Sequence, residues 1–442
     1  MSITMVRTKK GDISGIEKEG YSVFRGIPYA KPPVGDLRFR EPVEVDSWEG
    51  IYKADKFKAA CMQNFGNPGG FYDKEFYSEG SPKTSEDSLY LNIWTPAENK
   101  GEKLPVVLWI HGGGFFGGYG HEKEFDGEEY CKKGVILVTI NYRLGVFGFL
   151  VHPWLIDESD RGTVGNYGIL DQITALKWIY ENIEEFGGDF ENITIMGQSA
   201  GSMSVQTLVS SQLTGNMIKK AILQSGGGYA SELNRDYKIE EAIKIGEQFI
   251  KACEVDSLEE LRKLPAEFIQ DKANLIIAQG FASGQGLVFI PVIDNYVLKG
   301  GYNELVDNGF IKDIPYIIGS TKNDILVSPE MLEKGNRGSI YDACINWSLK
   351  CEELGHNASY VYYFTRDLPG DEAGAFHSAE LWYMFGTLKR CWRPMEDKDY
   401  ELSKKMIEYW TNFMKSGNPN HEGFDEWKPC KKTEPFIMEF FC

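Results

Sequence analysis

Residues Asn192 to Val205 read NITIMGQSAGSMSV. A run of β-branched and apolar residues stops at Gly197, and Ser199 follows between Gln198 and Ala200, with Gly201 behind it. The pattern predicts a strand that turns sharply into a helix, SAGSMSVQTLVSSQL. Strand and helix pass close together at such a turn, so the residues flanking the serine must be very small. The serine itself is lifted to the carboxyl edge of a sheet, with a helix N-terminus behind it. G-x-S-x-G alone also fits ordinary glycine-rich turns. A buried strand before it and a helix after it point to a nucleophile elbow.

Working outward, the same alternation continues on both sides. LPVVLWI (Leu104 to Ile110) reads as a buried strand running into the glycine loop HGGGF, and GVILVTINYRL as a second strand. Leu170 to Phe186 carries apolar or aromatic residues at helical spacing up to Gly187-Gly188, and KKAILQSGG is a further strand. Strand, helix, strand, helix predicts an α/β fold with a mostly parallel sheet covered on both faces. The first 60 residues read as short strands joined by turns, interrupted at Pro32 and Pro33. Beyond Gly228 the pattern is helical through KIEEAIKIGEQFIKAC and LEELRKL. LVFIPVID and IPYIIGS are then strand-like, Tyr341 to Glu353 is helical, SYVYYFT is a strand, and a last helix stops at Gly417 and Pro419. No linker or repeat divides the chain, so residues 1–442 are read as a single domain.

With 442 residues, 42% of them hydrophobic, the chain can bury a large core. Its 65 acidic residues against 47 basic ones leave a net charge of −18, which disfavours nucleic acid and anionic membrane surfaces as partners. The longest apolar runs are strand-length and too short to span a bilayer. MSITMVRTKKGDISG has no apolar core of a secretory signal, and the eight cysteines form no C-x-x-C pair. The expectation is therefore free thiols in a reducing compartment and a cytoplasmic location. On that expectation the sequons at Asn192, Asn346 and Asn357 are chance matches. No metal or cofactor is expected, and no feature assigns an oligomeric state.

A serine hydroxyl needs a base to become a nucleophile, and donors for the oxyanion that forms on attack. His111-Gly112-Gly113-Gly114-Phe115 follows a buried strand, and its glycines let N–H groups turn inward. Ala200, the residue after the nucleophile, supplies another N–H. Three histidines follow Ser199: His356, His377 and His421. His421 lies in the polar loop GNPNHEGFD, and His356 ends a helix, where histidine commonly caps carbonyls. His377, in GAFHSAELWYMFG, lies between small and aromatic residues that suit a base kept near neutrality. It is the preferred candidate. For the carboxylate that orients the base, Asp294 and Asp324 both follow strand-like runs, and the residues alone leave both open.

The sequence resembles the type-B carboxylesterase family, which includes para-nitrobenzyl-type esterases and the cholinesterases. FRGIPYAKPPVGDLRF, SEDSLYLNIWTP, HGGGF, NYRLGVFGFL, GNYGILDQITALKWI, FGGDFENITIMGQSAG, GAFHSAELWYMFG and YWTNFMKSGNPN resemble family blocks in family order over nearly the whole length. The resemblance implies an α/β-hydrolase fold with N-terminal antiparallel strands, and a Ser-His-Asp triad of Ser199, His377 and Asp324. Asp324 stands where most members carry glutamate, and Ile325 replaces the usual glycine after it. Asp294 falls in a family block that is not catalytic. The implied oxyanion donors are Gly113, Gly114 and Ala200.

The elbow reads GQSAG where members usually have GESAG. Cholinesterases use that glutamate to attract a cation, so Gln198 argues for neutral esters. FYDKEFYSEGSPKT likewise has no tryptophan for a cation–π contact. Ser88 stands where secreted members have a cysteine pairing with the position of Cys61. The stretch between Asp324 and His377 is shorter than usual, which implies a shortened helical cap and a more open gorge. The expected activity is hydrolysis of a small-molecule ester through an acyl-enzyme. The aromatic segments Phe71 to Tyr77 and Trp382 to Phe385 either line the pocket, favouring aryl esters, or pack the core. The alternatives are a non-catalytic binding protein on the same fold, or an amidase or acyltransferase using the same triad.

Overall fold

The computed structural model describes residues 2–65, 69–77, 80–162 and 164–442. Near the N-terminus, β1 (Met5–Thr8), β2 (Gly11–Ser14) and β5 (Ile51–Lys53) form a small separate sheet. The main sheet takes β3 (Ile16–Lys18), β4 (Tyr21–Pro28), β6 (Tyr90–Thr95), β7 (Leu104–Ile110), β8 (Ile136–Ile140), β9 (Gly188–Gln198), β10 (Lys220–Gln224), β11 (Tyr316–Thr321), β12 (Tyr360–Phe364) and β13 (Ile437–Phe440). Their spatial order is β3-β4-β6-β8-β7-β9-β10-β11-β12-β13. Pairing is antiparallel from β3 to β8 and parallel from β8 to β13, which is the α/β-hydrolase sheet with antiparallel N-terminal strands.

The central strands are apolar throughout because both faces are covered. Along β7, Val106, Leu108 and Ile110 join one core, while Val107 and Trp109 join the other. The first core packs under the helices Tyr167–Asn182, Ala200–Ser210, Ile239–Cys253 and Ala266–Ala282. The second packs under the long C-terminal helix Asp397–Ser416, which ends at Gly417 in the left-handed conformation. These two layers flank the carboxyl ends of the neighbouring strands β7, β9, β10 and β11, where ligands bind in open α/β sheets.

Some elements differ from the sequence reading. LVFIPVID does not form a strand: it is irregular, with an isolated bridge between Lys238 and Ile293. The helices Phe71–Phe76 and Ala266–Ala282 and the edge strand β13 are additional. Between Asp324 and His377 lie the short helix Pro329–Glu333, the helix Ser339–Glu353 and β12. Among the described residues, no helix is long and apolar enough to cross a membrane. All eight cysteines are free. Ser88 Oγ lies 3.0 Å from Cys61 Sγ, so the two positions that the family resemblance pairs are in contact.

Candidate active site

Ser199 follows β9 directly and caps the helix Ala200–Ser210, with φ 57° and ψ −125°. This left-handed backbone is costly for a residue with a Cβ, and such strain gathers at functional sites. The surrounding structure enforces it. The Ser199 N–H donates to the Gln224 carbonyl at 2.8 Å, and the Met203 N–H donates to the Ser199 carbonyl at 3.0 Å. The small flanking residues have a measurable reason. A Cβ on Gly201 would lie 2.1 Å from the Ile110 oxygen, and one on Gly197 would lie 2.4 Å from the Gly201 oxygen.

The glycine loop after β7 faces the serine. Gly113 and Gly114 have φ of +94° and +63°, and a Cβ on Gly113 would lie 2.2 Å from the Gly117 oxygen. Among the described residues, no acceptor bonds to the N–H groups of Gly113, Gly114 or Ala200. All three residues line the same cavity, Gly113 and Gly114 in the loop and Ala200 at the head of its helix, and free amides so placed can receive a developing oxyanion. The loop is pinned from both sides. Gln63 accepts from the Gly118 N–H and donates to the Gly118 carbonyl, both at 2.8 Å, and the Tyr142 hydroxyl donates to the His111 carbonyl at 2.9 Å. His111 is buried inside the loop and its Nδ1–H donates to the Gly112 carbonyl at 2.9 Å. Burial pushes its pKa down to about 4, so it stays neutral and structural.

His377 and Asp324 meet across 53 residues of sequence. His377 Nδ1–H donates to Asp324 Oδ1 at 2.5 Å. Asp324 also accepts from the backbone N–H groups of Thr321 at 3.0 Å and Ile325 at 2.8 Å. Burial pushes its carboxyl up. The His377 charge and these donors outweigh burial and hold it below the usual carboxylate range. The isoleucine at 325 thus contributes through its amide, where the missing glycine makes no difference. His377 Nε2 accepts from the Gln198 side-chain amide at 3.1 Å. With Nδ1 protonated toward Asp324, Nε2 is the basic nitrogen.

Ser199, Ala200, Gly113, Gly114 and His377 all line one cavity of about 800 Å³, with Asp324 behind the histidine. The other candidates lie elsewhere. Asp294 Oδ1 accepts from the N–H groups of Tyr296, Val297 and Leu298, a turn-closing role. His356 sits past the end of the helix Ser339–Glu353, where its N–H donates to the Cys351 carbonyl, and His421 is exposed. The aromatic segments divide. Tyr72, Phe76 and Tyr77 line the cavity, while Trp382, Tyr383 and Phe385 are buried in the core.

Sequence reasoning did not find the Gln198 contact with His377, or two buried carboxylates on the cavity wall, Glu122 and Glu124. Glu122 and Glu124 carried one signal. They alternate with Lys123 between the glycine-rich, aromatic stretch ending at His121 and Phe125.

Comparison with known proteins gives a consistent picture. The profile of the carboxylesterase family matches residues 2–345 and 340–440. The chain is 36% identical over 319 residues to the fumonisin B1 esterase of Sphingopyxis macrogoltabida, covering 72% of this chain and 55% of that protein. It is 31% identical over 469 residues to the para-nitrobenzyl esterase of Bacillus subtilis, covering 96% of this chain and 92% of that one. Among solved structures, a PNB esterase superposes with a TM-score of 0.85 at 28% identity, covering 99% of this chain and 96% of that one. A Geobacillus stearothermophilus carboxylesterase superposes with a TM-score of 0.82 at 31% identity and the same coverage.

Proposed function

The chain belongs to the carboxylesterase family and is an ester hydrolase, and we propose that it works by acyl transfer through Ser199, His377 and Asp324. One arrangement carries this reading. A strained serine opens into the same cavity as a histidine whose far nitrogen is held by a buried aspartate.

As an ester enters, His377 Nε2 exchanges its bond from Gln198 for one from Ser199 Oγ. It takes the hydroxyl proton while Oγ attacks the carbonyl carbon. The amides of Gly113, Gly114 and Ala200 hold the oxyanion. The tetrahedral adduct collapses, the ester C–O bond breaks, and His377 returns the proton to the leaving alcohol. Water then repeats the sequence on the acyl-enzyme and releases the acid and free Ser199. Asp324 keeps the proton on Nδ1 and steadies the imidazolium in both halves. Residues 1–442 act here as one catalytic unit without a cofactor.

Gln198 is uncharged, which supports esters that are neutral around the scissile bond. Tyr72, Phe76 and Tyr77 on the cavity wall support small aryl or short-chain esters. Free thiols and the serine at position 88 support a reducing, cytoplasmic setting.

The test is Ser199→Ala with p-nitrophenyl acetate, together with a radiolabelled organophosphate. The wild type is expected to turn over the ester and to lose that activity as it takes label on Ser199, and the variant is expected neither to turn over the ester nor to take label. Turnover surviving in Ser199→Ala refutes the assignment. A matched ester and anilide separate an esterase from an amidase.

A further inference from the structure

The helix Phe71–Phe76 has only six residues, too few to hold its shape alone. Something else in the fold has to fix it, and its buried acid does so. Glu75 is 1% exposed. Its carboxylate accepts from the Trp382 indole N–H at 2.9 Å, from the Trp392 indole N–H at 2.8 Å and from the Arg393 Nε–H at 3.0 Å. Arg393 is itself buried, and it donates to Asp371 at 2.7 Å and to the Pro369 carbonyl at 3.0 Å. A carboxylate that gathers one guanidinium and two indoles is satisfied in place, and charge-assisted bonds of this kind are strong and directional. None of these residues has a part in the mechanism above.

The donors belong to the chain that follows the base. Tyr72, Glu75 and Phe76 share one face of the helix, spaced i, i+3 and i+4. With Glu75 bonded as it is, Phe76 stacks on Trp382 with 5.5 Å between ring centroids, and Phe71 meets Phe376 edge-on at 4.9 Å. The Tyr72 hydroxyl donates to the His377 carbonyl at 3.2 Å. The Arg393 guanidinium lies over the Phe376 ring, 5.1 Å from its centroid. Ser378, next to the base, has φ 82°, a left-handed conformation that a residue with a Cβ keeps only when its surroundings impose it. On one side the segment is held by Asn323. Its N–H donates to the Ala375 carbonyl and its side-chain oxygen accepts from the Ala375 N–H, both at 3.0 Å. On the other side the contacts come from the helix.

Building on the triad reading above, we propose that Glu75 is a positioning residue for the catalytic base. It locks the helix Phe71–Phe76 onto the His377 segment, and the helix, through the Tyr72 hydroxyl, holds the His377 backbone so that the imidazole stays seated on Asp324. Glu75 itself faces Trp382, Trp392 and Arg393 and reaches the reaction only through His377.

The experiment measures kcat and KM for p-nitrophenyl acetate on the wild type, Glu75→Gln and Tyr72→Phe. Proton NMR reads the downfield His377 Nδ1–H resonance in each, identified by its loss in Asp324→Asn. Glu75→Gln removes the charge that gathers Arg393 and both indoles, and kcat should fall about tenfold or more. Tyr72→Phe keeps the ring and removes one neutral hydrogen bond, and kcat should fall about fivefold. In both variants the resonance should shift or broaden. A purely structural anchor lowers the unfolding midpoint and leaves kcat and the resonance unmoved, and a mere cavity wall changes KM alone. Either result in Glu75→Gln overturns the proposal. So does Tyr72→Phe with wild-type kcat and resonance, and this variant decides the outcome if Glu75→Gln does not fold. An Asp324→Asn protein that keeps its kcat refutes the triad. Loss of kcat in Asp324→Asn, with the other two variants unaffected, refutes the anchor alone.

Discussion

Glu380, three residues past His377, offers a quantitative test of how deeply the site is buried. The side chain is fully buried. Oε1 accepts from the Tyr362 hydroxyl at 3.3 Å, and Oε2 has no hydrogen-bond partner. Burial, reinforced by the Asp324 charge, moves its pKa from 4.5 to about 7. The folded protein therefore binds this proton more tightly than the unfolded chain. Its stabilising effect is complete below pH 4.5 and is lost as pH rises through about 7. At about 1.4 kcal/mol per pKa unit, the shift is worth roughly 3 kcal/mol by pH 8. Glu380→Gln cannot ionise. Relative to the wild type it should gain roughly 3 kcal/mol between pH 4.5 and pH 8. Glu122 and Glu124 also destabilise the fold as pH rises, but both proteins carry them, so they cancel in the difference. The assay is urea unfolding followed by tryptophan fluorescence at a series of pH values. A stability difference that stays constant across that range refutes the argument, because it would mean that the carboxyl reaches water when it ionises.

Other expectations follow from the same geometry. Asp324→Asn presents an amide to His377 Nδ1 and favours the wrong tautomer; kcat for p-nitrophenyl acetate should fall about a thousandfold or more, with KM little changed. Gly201→Ala places a Cβ 2.1 Å from the Ile110 oxygen. The helix must move off β7, at a cost of about 1–3 kcal/mol in unfolding free energy and with a matching loss of organophosphate labelling at Ser199. Gln198→Glu sets a carboxylate beside His377 Nε2 and favours the imidazolium. The acid limb of the kcat/KM profile should move up by about 1 pH unit, and an unmoved limb would show that the 198 side chain does not face the base in solution.

The legible parts of this protein are those governed by neighbours in sequence. The elbow at Ser199, the strands at Leu104–Ile110 and Ile136–Ile140 and the C-terminal helix depend on local sterics and on apolar periodicity, so their residues can be read directly. The helix Ala266–Ala282 was missed because its apolar residues do not gather into a clear stripe: it is pressed against one core while Leu275 and Phe281 remain exposed. LVFIPVID misled because an apolar run can be buried as an irregular segment as well as in a ladder.

The residues of this chain by themselves determined the alternation of strands and helices from Leu104 to Gln224 and the three-residue shortlist for the base, since these depend on side-chain chemistry within a few positions. The tertiary structure decided which partners those residues meet. Asp324 rather than Asp294 faces His377 because β11 ends beside the loop that carries the histidine, whereas the Asp294 oxygen is taken up by its own turn. Glu122 and Glu124 resemble solvent-facing charges in sequence but are buried in the fold, where Tyr77, brought from a distant segment, meets Glu122. Burial and charge pairing depend on what the fold brings together across tens or hundreds of residues, and no local pattern encodes those distances.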